Sequence, residues 1–186
     1  ILIDATTGDA SSAARLVSEV AAAKELLSAL SYWSFFNIGV YSSTTRMYGQ
    51  TLQRASSDNV AAAQAYLDTV ALSTAEFSNL KGMFSALYTS LKQSEQNGAT
   101  SNCHNIVALL SSTKNSYDWK DPAQDVHDMG LVVLSYVFDF DETVQDTVFK
   151  QMACATQGQV VQIKDTTPAG IDEVVDKFAD FASITI

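Results

Sequence analysis

Basic residues are scarce in this chain. Eleven Lys and Arg stand against 21 Asp and Glu in 186 residues, giving a net charge of −10, and nowhere do the bases form a run. A phosphate backbone is held by clustered cations, so nucleic acid is excluded as a partner, and an anionic membrane surface with it. The imbalance is uneven: residues 94–186 carry 14 acids against 5 bases, while residues 1–93 carry 7 against 6. The acidity belongs to the second half.

Long hydrophobic runs are also missing. The most apolar stretches, Leu26–Tyr41 and Met129–Phe140, are interrupted by Ser, Asn or Gly and fall short of the ~20 residues that cross a bilayer, so no membrane span is expected. The chain opens ILIDATTGDASS, without the basic and apolar regions of a signal peptide, so such a leader was either removed or never there. No N-x-Ser/Thr sequon occurs, which excludes N-glycosylation.

Cysteine is limited to Cys103 and Cys154, too few for a disulfide scaffold. Their even number in a chain poor in Lys predicts one bridge and an oxidising, extracellular compartment. In the chain-entropy model that bridge would stabilise the fold by about 4 kcal/mol.

Signatures of catalysis are absent as well. There is no G-x-S-x-G elbow, no phosphate loop, no H-E-x-x-H pair and no G-x-G-x-x-G. The two histidines, His104 and His127, are the only ones a triad could use, and Cys103 and His104, adjacent in sequence, point about 100° apart on a helix. Asp118, Asp121, Asp125 and Asp128 with His127 have spacings that could hold a cation, but the bland reading, a solvated helix start, is preferred. Asp139-Phe140-Asp141-Glu142 opens like a calcium loop and then fails, with Val144 where Gly is needed and Lys150 where Glu is needed. No enzyme, cofactor or metal is expected.

What the chain does have is helical periodicity. Leu16, Val20, Ala23, Leu27 and Leu30 recur at three and four residues, one buried face of a helix over 11–30. The aromatic stretch SYWSFFNIGVYSS, residues 31–43, follows. Its Trp33, Phe36, Val40, Thr44 and Met47 continue the spacing, with Tyr32 and Phe35 on another side, so a central helix over 30–47 is expected, with Gly39 and Ser42–Thr45 leaving its continuity open. Ser56 to Asp58 can cap a third helix, and Ser73-Thr74-Ala75-Glu76 reads as a capping box for a fourth. A fifth carries Cys103, Ile106, Val107 and Leu110, and a sixth runs from Pro122 through Val137. Another starts after the acids at 139–142, and a last amphipathic stripe follows Pro168. VVQIK at 160–164 is the one β-like run; a single strand cannot make a sheet, so it is taken as a connector.

The expected fold is therefore all-α: one domain, 1–186, a compact bundle of six to eight helices with a Cys103–Cys154 disulfide. The function expected from it is a secreted, non-enzymatic protein that binds a small hydrophobic ligand of lipid or fatty-acid type between its helices. Tyr32, Trp33, Phe35, Phe36, Val40, Tyr41 and Met47 are the expected lining. The alternative is a secreted protein–protein interaction module whose acidic second half meets a partner protein.

Overall fold

The two runs NIVALLSS and LVVLSYVF are strands, and they form the centre of the molecule. In the computed structural model, which describes residues 1–7, 12–75, 77–100, 104–112, 116–117, 121–138, 147–164 and 167–185, the chain runs β1 (Leu2–Asp4), α1 (Ser12–Ala29), β2 (Phe35–Phe36), β3 (Gly39–Tyr41), β4 (Thr45–Met47), β5 (Gln53–Arg54) and α2 (Ser57–Leu67). It continues through β6 (Phe77–Ser78), α3 (Leu80–Gln96), β7 (Asn105–Ser112), β8 (Ser116–Tyr117), α4 (Pro122–Asp128), β9 (Leu131–Phe138), α5 (Thr147–Thr156), β10 (Gln159–Ile163) and α6 (Pro168–Thr185).

Six strands make one sheet in the order β10-β9-β7-β1-β3-β4. Every neighbouring pair is parallel except β3 with β4, which form an antiparallel hairpin with Val40 opposite Arg46. Two short two-stranded ladders, β2 with β5 and β6 with β8, lie outside this sheet.

Both faces of the sheet are covered. Successive strand residues alternate between two cores: Ile3, Ala108, Leu110, Leu134, Tyr136 and Ile163 pack with Leu16, Ala23 and Leu27 of α1, Ala63 and Leu67 of α2 and Val174 of α6. Leu2, Val107, Leu109, Val133 and Val137 face the other way, onto Met83, Phe84 and Leu87 of α3, Val126 of α4 and Phe149 and Met152 of α5. A strand sandwiched between helix layers needs apolar residues at every position, so it reads as a continuous hydrophobic run instead of an alternating one.

The fold is thus α/β, and the all-α bundle is overturned. Residues 105–112 and 131–138 were expected as helices because a short, fully apolar run carries three- and four-residue spacings by chance, and periodicity alone does not separate buried strand from buried helix. The segment expected as a helix over 30–47 holds β2, which pairs with β5, and the β3–β4 hairpin. VVQIK holds β10, an edge strand whose parallel partner is β9. The capping box at 73–76 starts no helix at that point; α3 begins after Asn79, whose side chain accepts from Gly82 N at 2.9 Å. Helices on the outer layers do stand where their stripes put them, including α2, whose N-cap Ser56 accepts from Asn59 N at 3.3 Å.

The disulfide is also overturned. Cys154 is a free, exposed thiol, and with only two cysteines in the chain no bridge remains; Cys103 itself lies outside the described residues. No helix among the described residues is long and apolar enough to cross a membrane.

Candidate functional site

An open parallel sheet has one place where its topology leaves a crevice: the carboxyl ends of two adjacent strands whose connections depart in opposite directions. Here β1 leads through α1 to β3 on one side, while its other neighbour, β7, leads on to β9. The register sets Ile3 opposite Leu110, which brings Asp4 and Ser111 to the seam as the next residues of their strands.

Asp4 is fully buried. Its Oδ1 accepts from Thr6 N at 3.0 Å, and its Oδ2 accepts from the Ser111 hydroxyl at 3.0 Å and, at the long distance of 3.5 Å, from the Ser78 hydroxyl. Ser78 arrives from β6, immediately before the N-cap of α3. The hydroxyl of Thr6, also fully buried, has no hydrogen-bond partner among the described residues. Groups of this kind are rare in folded proteins, because leaving one unsatisfied costs about 1–3 kcal/mol.

The loop carrying these groups is held from beneath. Arg15, 2% exposed, donates through Nη1 to the Asp4 carbonyl at 3.3 Å and to Glu19 Oε1 at 2.8 Å, and through Nη2 to the Thr6 carbonyl at 2.8 Å. The loop is tied sideways as well: Ser73 N donates to the Ala5 carbonyl at 2.8 Å, Thr7 N donates to Ala75 O at 3.1 Å, and the Thr7 hydroxyl donates to the Ser73 carbonyl. The result is a fixed cup of one carboxylate and three hydroxyls at the carboxyl edge of the sheet.

All of these donors are oxygen, the atom a hard cation takes, but such cations are ordinarily held by carboxylates with room for water. The described cup offers a single carboxylate, already accepting hydrogen bonds on both oxygens, and no group of three His, Cys, Asp or Glu close enough to hold a metal occurs among the described residues. Among the described residues the cup thus supplies one carboxylate and three hydroxyls. The acid cluster at 118–128 gathers no metal-holding group among its described residues either: Asp125 faces Lys81 at 3.5 Å, Asp128 faces His127 Nδ1 at 3.5 Å, and Asp118 and residues 139–142 lie outside the described residues.

The expected hydrophobic-ligand residues are not brought together. Phe36 and Val40 are buried in the α1 side of the core, and Tyr41 is buried in the α3 side with Met47 packed against it. Phe35 is half-buried, while Tyr32 and Trp33 are 57% and 75% exposed. Two grooves open on the surface: one along α6 beside Asp172, Glu173, Asp176 and Asp180, the other between α1 and the end of α2 beside Val17, Val20, Lys24 and Asp68. No residue of the aromatic stretch lines either. The lipid-binding helical cavity is therefore corrected: the segment expected to line it is split between the β2–β5 ladder and the β3–β4 hairpin, and its side chains between two cores and solvent.

The cup itself escaped sequence reasoning. Its one signal was Asp4 closing the apolar run ILI and followed by Ala-Thr-Thr, a strand ending in a polar loop; nothing local points to Ser78 or Ser111.

No protein-family model matches the sequence, and no curated protein sequence matches it. Solved structures match its fold. A von Willebrand factor type A protein from Catenulispora acidiphila superposes with a TM-score of 0.69 at 16% identity, over 97% of this chain and 40% of the other. A conserved hypothetical protein, BatB, from Bacteroides thetaiotaomicron gives 0.65 at 10% identity, over 98% of both chains. The manganese-loaded TRAP protein of Plasmodium vivax gives 0.55 at 10% identity, over 94% of this chain and 71% of the other. The chain thus spans less than half the length of the Catenulispora protein. At these identities the likeness establishes architecture: a von Willebrand factor type A-like α/β domain.

Proposed function

We propose that the chain is a non-enzymatic protein-interaction domain that receives its partner at the carboxyl edge of the sheet, on the loop ends that the buried Asp4, Thr6, Ser78 and Ser111 hold in place. The observation that carries this reading is the loop at the topological crevice, where Asp4 is tied to Thr6 N and to Ser111, and where the buried Thr6 hydroxyl meets no partner among the described residues. Binding is favoured over catalysis because the Asp4 carboxylate is taken up by donors, which leaves the described cup no acid–base pair. The similar Plasmodium structure is manganese-loaded; in this chain the buried Asp4 carboxylate is engaged by Thr6 N and the Ser111 hydroxyl.

The acidic second half has a part in the same reading. Asp172, Glu173 and Asp176 lie exposed on α6, and such a surface steers a basic partner toward the domain. An extracellular setting belongs to the proposal as well. With Cys154 free, it is supported by the scarcity of Lys and no longer by a disulfide.

The test is capture of the partner from the extracellular fluid on immobilised wild-type, Thr6→Val and Ser78→Ala domains. A partner held at this edge is captured about tenfold less by the variants, because the buried hydroxyls set the loop that it meets. Equal capture by all three places the contact elsewhere.

A further inference from the structure

A second surface lies at the opposite edge of the sheet. Because β3 runs parallel to β1, with Leu2 opposite Gly39, the residues preceding β3 extend past the amino ends of the parallel strands, away from Asp4. There β2 and β5 pair with Phe35 opposite Arg54, and the Arg54 guanidinium lies over three rings: Phe35 at 4.8 Å, Tyr32 at 5.3 Å and Trp33 at 5.9 Å from their centroids. Tyr32 and Trp33 meet edge to face at 5.5 Å. The Arg54 backbone is fixed on its other side, its carbonyl accepting from Asn59 Nδ2 at 2.9 Å.

Charge marks this surface as different from the rest of the molecule. Residues 26–57 contain no acid, in a chain that has 21, and their two charges are Arg46 and Arg54. Arg15, Lys24, Lys81 and Lys92 each meet a carboxylate. Among the described residues Arg46 and Arg54 meet none, and each is stacked on rings, Arg46 over Tyr66 at 4.9 Å. An arginine lying flat on rings keeps its edge free for a bidentate carboxylate, and Trp, Tyr and Arg are the residues that carry most of the energy of protein interfaces.

We propose that Tyr32, Trp33 and Arg54 form a second docking surface, which takes an acidic segment of a partner protein, setting a carboxylate against Arg54 and an apolar side chain against Trp33. The rings supply apolar area in a prearranged geometry, and the guanidinium selects charge. An acid-free patch on a domain of net charge −10 directs such a segment to this edge and repels it from the acidic half.

The test is a library of random short peptides panned on the whole protein, with the Trp33→Ala/Arg54→Glu variant as counter-target. The enriched peptides are expected to carry acids flanking an apolar residue. They bind the wild type about tenfold or more tighter than Trp33→Ala or Arg54→Glu, with Arg54→Lys, which keeps the charge and loses the fork, in between. The melting temperature of Trp33→Ala stays near wild type because Trp33 is exposed, and Thr6→Val leaves this binding unchanged because the cup is at the other edge. Enrichment without acids, equal binding to the double variant, or no enrichment overturns the proposal. So does retention on heparin that depends on Arg54 with no acidic peptide selected, which would make the surface a polysaccharide site.

Discussion

The Asp4 carboxylate accepts a 3.0 Å hydrogen bond from the Ser111 hydroxyl across the seam between β1 and β7, joining residues 107 positions apart in the chain. The bond fixes the central strand pair at its carboxyl end and orients the carboxylate under Thr6. Replacing Ser111 by Ala leaves a fully buried carboxylate with one donor fewer, so the domain is expected to lose about 2 kcal/mol, read as a lower midpoint in urea unfolding at unchanged slope.

Arg15 and Glu19 form a buried ion pair at 2.8 Å, and Arg15 also serves the carbonyls of Asp4 and Thr6. Arg15→Met takes the cation from buried Glu19 and the guanidinium hydrogen bond from each of the two carbonyls, a loss of about 3–5 kcal/mol. Adding Glu19→Met to it restores the part owed to the uncompensated charge and leaves the part owed to the loop. Thermal or urea unfolding of the single and double variants separates the two, and partner capture by the double variant stays low, because the cup has lost its support.

Burial pushes the Tyr136 phenol up from its ordinary value of 10.0. The folded state holds that proton more tightly than the unfolded state, so the stability it contributes is complete below about pH 10 and is lost as pH rises above it. Tyr136→Phe removes this dependence. Above about pH 10 the unfolding free energy of wild type should fall more steeply than that of the variant, by up to about 1.4 kcal/mol per pH unit.

A cup with one carboxylate gains little from a divalent cation. Millimolar Mg²⁺ or Mn²⁺ should leave the melting temperature unchanged, and a chelator should leave partner capture unchanged, since a ligand stabilises the fold only as far as it binds the native state. A melting temperature that climbs with cation concentration would show that residues outside the described cup complete a metal site.

Much of the outer layer was legible in the sequence. The helices α1, α2 and α6 each show one face to water, so their stripes, the Ser56 cap and Pro168 survive as local signals. The centre was illegible for the reason that makes it the centre. Val107 and Ala108, or Val133 and Leu134, bury on opposite faces, and a strand apolar on both sides has no alternation to find. Once β7 and β9 were taken as helices, β10 had nothing to pair with, and a correctly noticed β-like run was set aside as a connector. The site was hidden by distance: Asp4, Ser78 and Ser111 are ordinary residues in sequence, and the parallel register alone makes them neighbours. The aromatic stretch was noticed, but composition could not show that Phe36 and Tyr41 turn inward while Tyr32 and Trp33 turn out.

Amide hydrogen exchange of the domain, free and with its captured partner, tests the partner site most directly. Slowed exchange is expected at residues 4–7, 73–75, 77–78 and 111–112, the segments that build the cup, with Thr6→Val reducing the difference. Slowing confined to other segments, with these unchanged, would contradict a partner site at the carboxyl edge of the sheet.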